Sequence, residues 1–424
     1  MATPVKPTPS SPFPRAQLAN TRAFTTRQPA AVLLLLAVSS LASPPSLQAQ
    51  QSVSLAEAAQ RGQAIFDQSA VTGMVLAIVH NHEVLIKGYG ETAPGSGRTP
   101  DSSSEVRLCS ISKVFTSDLL TKLVSEGNLS LTDPLLKYAP PHSKVPEGPN
   151  GTDITLLDLA THTSGLPREV SSYPPKTPHF TFPNRAYRWA WLPKQKLASA
   201  PGTAAVYSNI GYDLLGDALA SAANTSYASL LHDRLLQPLN MWDTTLVPSS
   251  DQCARLLQPI KDEGPCTDTQ PSGPSGGIYS TASDMVKLLE YLLRLPGSPP
   301  APDANLAIYL KPDQLKSVQG LSHAGDPTGI GLAWIQLGDP ATPSAILEKT
   351  GGGAGFTTYI ALSPSRQTGV FLAATWGKGD PKVGFFQESN NLLAALANVP
   401  PLPPKAHRAT PPKHHPRPRR RPHL

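Results

Sequence analysis

The chain has 424 residues, and its formal net charge of +6 comes from its two ends. Of its 36 lysines and arginines, four lie in residues 1–49 and seven lie beyond residue 398, and neither end contains an acidic residue. The body between them therefore has 25 basic residues against 30 acidic ones, a net charge of about −5. This balance excludes a basic nucleic-acid-binding domain.

The first 49 residues have the pattern of an export signal. Four basic residues precede the apolar run Ala31–Val38, and Leu47-Gln48-Ala49 is a suitable small-residue cleavage site. The apolar run is too short to cross a bilayer as a permanent helix. We therefore expect residues 1–49 to be a signal peptide that is removed on export. An uncleaved anchor is the alternative, because the region before the run is long, and it would be the only membrane contact.

The body begins with a predicted helix and a predicted β-hairpin. Ser54 and Glu57 have the spacing of a capping box and open the helix. Two strand-like runs, residues 74–79 and 84–86, then flank the tetrapeptide His80-Asn81-His82-Glu83. The two histidines do not by themselves predict a metal site, because a third ligand at suitable spacing is missing. We interpret this tetrapeptide as the hairpin turn.

The next segment contains Ser110-Ile111-Ser112-Lys113 at the start of a predicted helix. Apolar residues recur at helical spacing from Ile111 to Leu123, and Gly127 stands where the helix would end. Ser110 and Lys113 therefore lie one turn apart on the same face. A serine nucleophile needs a nearby base and an electropositive setting, which Lys113 and the helix N-terminus can supply. By itself this common pattern also fits an ordinary helix start with a solvated lysine.

From this helix to about residue 300, the pattern predicts helices joined by long proline-rich loops. The predicted helices follow Thr155 and cover residues 212–223, 227–236 and 285–293. Residues 167–201 contain many prolines and aromatic residues without periodicity. This stretch indicates a long ordered loop near a binding site.

Strands return after the prolines at 296–302. Runs separated by glycine and proline predict strands within residues 329–337, 345–350, 356–362 and 370–375, followed by a helix at 385–397. Strands at both ends of the body with helices between them predict an α/β (α+β) fold. One antiparallel sheet would be built from the N- and C-terminal segments, about 50–115 and 320–398. The helical region, about 116–319, would be inserted between them.

The last residues, 399–424, are rich in proline, arginine and histidine. Such a segment cannot bury enough apolar surface to fold, so we expect a disordered, solvated tail. An electrostatic role toward anionic cell-envelope polymers is the alternative for this tail.

A second motif, Tyr207-Ser208-Asn209, stands just before a predicted helix. In an extended turn, residues two apart project to the same side, so Tyr207 and Asn209 can face one cleft. A tyrosine close to lysines can pass protons to and from a serine and a leaving group. Asn209 can hydrogen-bond a substrate amide and Lys113. The tripeptide alone would equally fit a tyrosine that packs at a helix start.

A third motif, Lys349-Thr350-Gly351, lies at the end of a predicted strand. Lys349 can bring a positive charge, and Thr350 a hydroxyl, to an anionic group of a substrate. We expect Gly351 to let the substrate backbone lie against the strand, because a side chain would prevent a close approach. The backbone N–H groups of Gly352 and Ser110 can form an oxyanion hole.

The pentapeptide Gly273-Pro274-Ser275-Gly276-Gly277 also has the form of a nucleophile elbow. Such an elbow must follow a buried strand, but residues 266–272 are polar and read as a loop. We therefore interpret the pentapeptide as a turn before the helix at Thr281 and do not expect Ser275 to be catalytic.

The chain has three cysteines. Cys253 and Cys266 flank a polar segment, and a local disulfide between them is favoured over two free thiols in an exported protein. Cys109 lies beside Ser110 in apolar surroundings. We interpret it as a packing residue rather than a thiol nucleophile, because an apolar setting raises a thiol pKa.

The three motifs gain specificity because they are single-copy and ordered: Lys113 alone among the lysines follows a serine by three residues, and Tyr207 alone among the tyrosines precedes an asparagine by two. Together they resemble the serine penicillin-recognising superfamily, of the class C β-lactamase type, in which a tyrosine occupies the second motif. The glutamate of class A enzymes is not found after Tyr207.

Further segments resemble the AmpH-type D-alanyl-D-alanine carboxypeptidase/endopeptidases of the bacterial periplasm, from about Ala58 to Ala397. These segments are Tyr89-Gly90-Glu91-Thr92, Lys137-Tyr138-Ala139-Pro140-Pro141, Leu159-Ala160-Thr161-His162-Thr163-Ser164, Asp251-Gln252-Cys253 and Lys349-Thr350-Gly351-Gly352-Gly353. The cysteine pair is similar too. Three features depart from the family. A small residue is usual at the position of Cys109, and the family does not explain the long leader or the basic tail.

The resemblance implies a β-lactamase/transpeptidase-like fold and a periplasmic serine DD-peptidase. Ser110 would attack the carbonyl of the penultimate D-Ala, or of a D-centre in a cross-link, while Lys113 and Tyr207 move protons. Asn209 would orient the acyl amide, and Lys349 and Thr350 would engage the terminal carboxylate. Water would hydrolyse the acyl-enzyme without a metal or an organic cofactor. Peptidoglycan peptides and β-lactams are the implied ligands.

Two alternatives stay open at this point. A class C-type β-lactamase or an esterase on the same scaffold would turn over cephalosporins quickly rather than hold a long-lived adduct. An inactive envelope-binding or sensor protein would show unchanged muropeptide processing when Ser110 is replaced by alanine. The intact set of three motifs favours an enzyme.

Overall fold

The computed structural model describes residues 53–261, 264–377 and 384–403. The predicted signal peptide, and the tail beyond residue 403, lie outside the described residues. Within the described ranges, no helix is both long and apolar enough to span a membrane.

Strands from both ends of the body form the central sheet. In chain order the strands are β1 (Val71–His80), β2 (Glu83–Gly90), β3 (Glu105–Arg107), β4 (Ala205–Val206), β5 (Tyr279–Thr281), β6 (Ile308–Leu310), β7 (Val318–Gln319), β8 (Gly329–Gly331), β9 (Ile335–Leu337), β10 (Ile346–Gly353), β11 (Phe356–Ser363) and β12 (Thr368–Trp376). Within the described residues, eight of them form one antiparallel sheet in the order β2-β1-β12-β11-β10-β9-β8-β6. The pairs β3–β5 and β4–β7 are separate.

The pairing of β1 with β12 closes the fold, because it joins residues about 300 positions apart, such as Val75 opposite Ala373. This confirms the predicted fold class, with one antiparallel sheet drawn from the two ends of the body. Strand β6 also joins the sheet, from within the stretch that the sequence assigns to the helical part.

The helices cover both faces of the sheet. They are α1 (Leu55–Ser69), α2 (Ser112–Ser125), α3 (Leu156–Ala160), α4 (Arg185–Trp191), α5 (Asn209–Ala222), α6 (Tyr227–Leu231), α7 (Ser250–Arg255), α8 (Ala282–Leu292) and α9 (Gly384–Leu396). Helices α1 and α9 pack together on one face, and α8 packs on β1 and β12.

Strand β1 shows how the sheet is buried on both sides. Its side chains alternate between two cores: Val75, Ala77 and Val79 belong to the core that contains α2, α5 and α8. Met74, Leu76 and Ile78 belong to the core formed with α1 and α9. A strand that is covered on both faces reads as a continuous apolar run, which is why its pattern is strong in the sequence.

Two local signals in the sequence correctly predicted where elements begin or turn. Ser54 and Glu57 form the expected capping box of α1. The hairpin turn lies at Asn81 and His82, whose positive φ angles of 49° and 71° match the twist of a two-residue turn.

Two loop predictions need correction. The long loop at 167–201 contains the helix α4, whose seven residues are too few to show a clear periodicity. Residues Gly273–Gly277 form a buried helical turn packed against α2 and α5, followed by β5 before α8 begins. The polar residues before this turn suggested a surface loop, but contacts with α2 and α5 bury the turn.

Candidate active site

Ser110 lies in a tight 3-10 turn, Cys109–Ile111, that leads directly into α2. The turn is held from the sheet, because the Thr358 hydroxyl donates to the carbonyl of Leu108 over 2.9 Å. Cys109 has a positive φ of 51°, a conformation that costs energy for a residue other than glycine. The surrounding structure therefore fixes the direction in which the Ser110 side chain projects.

Tyr207, from the segment between β4 and α5, contacts Ser110. It follows the short strand β4 and precedes α5, whose N-cap is Ser208. The Tyr207 hydroxyl donates a hydrogen bond of 2.6 Å to Ser110 Oγ. Two residues that are 97 positions apart in the chain thus share one short hydrogen bond, as the first two motifs predict.

Lys113 is fully buried behind these two residues. Its ammonium donates to Asn209 Oδ1 over 2.6 Å and to the carbonyl of Ser275 over 2.5 Å, and it lies 4.9 Å from the centre of the Tyr207 ring. Burial lowers the pKa of Lys113, and the nearby carboxylates of Asp213 and Glu169 oppose that shift. The Ser275 contact uses its backbone oxygen and does not involve its hydroxyl.

Lys349 approaches the same tyrosine from β10. Its ammonium lies 5.0 Å from the Tyr207 ring centre, and the side chain is buried. Burial lowers the pKa of Lys349, while Tyr207 and Glu348 oppose that shift. The Arg168 guanidinium lies 4.9 Å from the same ring. Three cationic groups therefore surround one phenol, and their field favours negative charge at the oxygen pair of Ser110 and Tyr207.

The end of β10 packs against the nucleophile's turn at Gly351. An added Cβ there would lie 2.8 Å from the Leu108 carbonyl oxygen and 3.0 Å from Ser110 N. The reason for this glycine is thus the approach of the strand to Ser110, in addition to any room it leaves for substrate. Gly352, the next residue along β10, is exposed.

Several charged residues near Lys113 were not identified from the sequence. The Asn209 amide donates to Glu169 Oε1, and the carbonyl of Arg168 accepts the backbone N–H of Asn209. Asp213 is buried, and burial raises the pKa of its carboxyl. Its spacing of four residues from Asn209 on α5 is a signal that could have found it. Arg168 and Glu169 come from the long loop, where periodicity gives no guide.

The loop at 167–201 does border the site, as the sequence indicates. A Cβ added at Gly276 would lie 2.7 Å from the Phe180 ring, and one added at Gly353 would lie 3.5 Å from it. Phe180 therefore packs beside both the end of β10 and the turn at 273–277.

Cys109 has the surroundings of a packing residue. It is fully buried, its thiol donates to the carbonyl of Gly353 over 3.3 Å, and burial raises its pKa to about 12. The other two cysteines, Cys253 and Cys266, lie at bonding distance, with Cα atoms 5.7 Å apart. Among the described residues, no cluster of three or more metal-ligating side chains is found.

This arrangement provides a serine hydroxyl, a phenol hydrogen-bonded to it, and two buried lysines close to the phenol. A sheet-and-helix fold with such a site defines a class of serine hydrolases that act through a Ser-x-x-Lys nucleophile. The chain belongs to the beta-lactamase family, whose family model matches residues 55–399. This confirms the family that the motifs predict.

Two relatives are especially similar. The chain is 40% identical over 344 residues to the D-alanyl-D-alanine-carboxypeptidase/endopeptidase AmpH of Escherichia coli (strain K12). The aligned region covers 80% of this chain and 88% of that protein. The crystal structure of a beta-lactamase/D-alanine carboxypeptidase from Yersinia pestis, complexed with citrate, is 38% identical with a TM-score of 0.77, and covers 81% of this chain and 99% of that chain.

A more distant structure shares the fold. The class C beta lactamase from Rhodobacter sphaeroides is 23% identical with a TM-score of 0.64, and covers 80% of this chain and 98% of that chain. The predicted β-lactamase/transpeptidase-like fold is therefore confirmed by structures as well as by the family model.

Proposed function

We propose that this protein is a serine DD-peptidase that acts on peptidoglycan stem peptides, as a D-Ala-D-Ala carboxypeptidase, a cross-link endopeptidase or both. The observation that carries the proposal is the hydrogen bond of 2.6 Å between Tyr207 and Ser110, with the ammonium groups of Lys113 and Lys349 4.9 Å and 5.0 Å from the centre of the Tyr207 ring. The similarity to AmpH of Escherichia coli supports the choice of substrate.

In the acylation step, Ser110 Oγ attacks the carbonyl carbon of the penultimate D-Ala and gives up its proton toward the pair formed by Tyr207 and Lys113. The negative charge that develops on the carbonyl oxygen is stabilised by the N–H groups of Ser110 and Gly352. When the C–N bond breaks, the departing amine takes a proton from Tyr207. Water then attacks the ester carbonyl and gives a proton to the same groups, and Ser110 Oγ takes that proton as the ester C–O bond breaks.

Substrate contacts follow from the residues around the serine. Lys349 and Thr350 bind the terminal carboxylate of the leaving D-Ala, because a buried ammonium favours a charge-assisted hydrogen bond. Asn209, held between Lys113 and Glu169, orients the amide of the acyl part. Gly351 keeps this strand edge close to the nucleophile.

The proposed setting is the periplasm. Residues 1–49 act as the export signal and residues 50–398 as the hydrolase domain, and the basic segment 399–424 follows. An oxidising compartment supports the disulfide between Cys253 and Cys266, which lie in bonding geometry. N-terminal sequencing of the exported protein tests the cleavage after Ala49; a mature chain that still begins at Met1 would contradict it.

A fluorescent penicillin tests the nucleophile. The wild-type protein should form a covalent adduct that survives denaturation, and Ser110→Ala should form none. Incubation with pentapeptide and cross-linked muropeptides tests the substrate: release of D-Ala or cleavage of cross-links is expected. Labelling without either product, combined with fast cephalosporin turnover, would show a β-lactamase on this scaffold and overturn the proposal.

A further inference from the structure

The turn at Thr161–Gly165 follows α3 and belongs to a sequence motif to which the proposed mechanism assigns no role. Its histidine, His162, is 2% exposed. The centre of its ring lies 4.5 Å from that of Tyr207 and 5.0 Å from that of Tyr212. The imidazole therefore packs directly against the phenol that contacts Ser110.

His162 also binds the backbone on both sides of Tyr207. Its carbonyl accepts the N–H of Val206 over 2.8 Å. Its ring nitrogen Nδ1 accepts the N–H of Ser208 over 3.1 Å. One residue thus bonds the positions before and after Tyr207 and stacks on the tyrosine between them.

The backbone of the turn does not explain why a histidine stands there. His162 has a positive φ of 63°, a conformation that glycine adopts without strain. The turn is held instead by Asp158. Its backbone carbonyl accepts the N–H of Thr163 over 2.8 Å, and its carboxylate accepts the Thr163 hydroxyl over 3.0 Å. The histidine side chain must therefore contribute something other than a permitted backbone angle.

The hydrogen bond from Ser208 assigns the state of the ring. An N–H donor requires a bare nitrogen, so Nδ1 carries no proton and the neutral ring carries its proton on Nε2. Burial, together with the neighbouring Lys113, Lys349 and Arg168, lowers the pKa of His162, which keeps the ring neutral. Its Nε2 makes no hydrogen bond to any described residue.

We propose that His162 is a positioning residue, a neutral hydrogen-bond acceptor that holds the Tyr207 segment so that the phenol stays in contact with Ser110. This inference rests on the proposed function for its kinetic consequence. It assigns to the histidine no contact with substrate and no proton transfer.

The test compares His162→Asn with His162→Leu, two side chains of the same shape. Asparagine can place Oδ1 where Nδ1 lies and tolerates a positive φ, whereas leucine offers no acceptor. With a fluorescent penicillin, the acylation rate at saturation should fall by about 100-fold in His162→Leu, because a misplaced catalytic group costs about that much. His162→Asn should stay within about tenfold of the wild type, and the Kd of the penicillin should change little in either variant.

His80→Asn is the matched control, since His80 ends β1 and its ring bonds the hydroxyl of Thr368 at the start of β12. It should acylate at the wild-type rate. If His162→Asn is as slow as His162→Leu, the ring takes part in proton transfer and the proposal is wrong. Equal rates in all four proteins would also overturn it.

Hydrogen exchange at the Ser208 amide supplies a readout that does not depend on activity. The amide should exchange about five- to tenfold faster in His162→Leu than in His162→Asn, as expected for the loss of one hydrogen bond of about 1 kcal/mol. If leucine prevents folding, His162→Gly, which suits the backbone angle, replaces it. A wild-type protein that binds no penicillin would refute the proposed function, while this exchange measurement would still decide whether His162 holds the segment.

Discussion

At the scale of single residues, the site is a small set of charges, two of them on buried lysines, arranged around one phenol. Lys113, Lys349 and Arg168 each approach the Tyr207 ring to about 5 Å. Lys113 and Lys349 are buried, which is costly for a lone cation, and the carboxylates of Asp213 and Glu169 offset part of that cost for Lys113. The position of Tyr207 at the centre of this charge cluster accounts for its proposed part in both proton transfers.

Replacement of Tyr207 by phenylalanine tests that part. Tyr207→Phe keeps the ring and its packing but removes the oxygen that contacts Ser110. Acylation by a penicillin should slow by about 10²–10⁴-fold, the usual contribution of a positioned acid–base group. Stopped-flow labelling measures the rate. Tyr309→Phe, which loses a hydroxyl bond to the Ala304 carbonyl away from the site, is the control and should react like the wild type.

Glu348 shows a different consequence of burial. It is 1% exposed, and its cross-strand neighbours Ile335 and Ala361 belong to the core beneath α1 and α9. Within the described residues its Oε2 has no hydrogen-bond partner. Burial raises its pKa from 4.5 to about 7, although Lys349 opposes the shift. The folded protein therefore keeps this proton over a pH range in which the unfolded chain loses it.

The sign of the resulting pH dependence follows from that difference. As the pH rises from 4.5 to about 7, the unfolded state ionises first, so this group lowers the free energy of unfolding. Glu348→Gln removes the effect. The stability of the variant relative to the wild type should increase by on the order of 3 kcal/mol across this range. Urea unfolding at several pH values measures it, and parallel curves would contradict the prediction.

At the scale of elements, the contact between β10 and the turn before α2 brings the first and third motifs together. Thr358 on β11 donates a hydrogen bond to the carbonyl of Leu108. Gly351 on β10 packs so closely against the same carbonyl that a Cβ would not fit. The nucleophile's turn therefore depends on the sheet edge for its position. A substitution on that part of β10 should therefore shift the position of Ser110, although Ser110 itself is unchanged.

Two neighbouring glycines provide a matched test of this dependence. A Cβ on Gly351 would lie 2.2 Å from the Thr358 hydroxyl, whereas the nearest atom to one on Gly352 is 3.9 Å away. Gly351→Ala should therefore cost about 1–3 kcal/mol of stability, typical of overpacking. Gly352→Ala should unfold like the wild type. Thermal and urea denaturation compare the two, and equal stability of both variants would show that the strand can move away from the turn.

The same element contacts explain which site residues the sequence revealed. Ser110, Lys113, Tyr207, Asn209 and Lys349 were found because each belongs to a short local pattern, and the structure brings their side chains into one cluster. Arg168 and Glu169 were missed because they reach the cluster through a loop with no periodic signal. Their positions depend on how that loop packs, which no local pattern records.

At the scale of the whole molecule, the covalent link proposed between Cys253 and Cys266 ties α7 to the segment that precedes the buried turn at 273–277. The two positions are 13 residues apart in the chain. Closing a loop of that size reduces the conformational freedom of the unfolded chain, with a stabilisation of about 3 kcal/mol. The link lies outside the cluster around Ser110.

Replacement of both cysteines by serine tests this link. The double variant should lose about 2–4 kcal/mol in the free energy of unfolding, and its acylation rate in the folded state should match that of the wild type. Alkylation before and after reduction, followed by intact-mass measurement, establishes whether the pair is oxidised. Free thiols at both positions in exported protein would contradict the proposed bond.

The amino-acid sequence by itself determined the local features of this protein: capping boxes, the hairpin turn, the alternation of helical and strand-like runs, and three ordered motifs. These features depend on neighbours within one or two turns of chain, so the sequence shows them directly. Its resemblance to a known family also predicted the fold correctly.

Only the tertiary structure decided how distant segments meet. It places β1 beside β12, seats Gly351 against Ser110, encloses Tyr207 among three cations, and puts His162 behind it. Such contacts join residues tens to hundreds of positions apart, and they form only when a whole set of elements packs together. Their energetic origin is the burial of apolar surface on both faces of the sheet. An apolar run shows that a strand is buried, but it does not show which distant segments cover it.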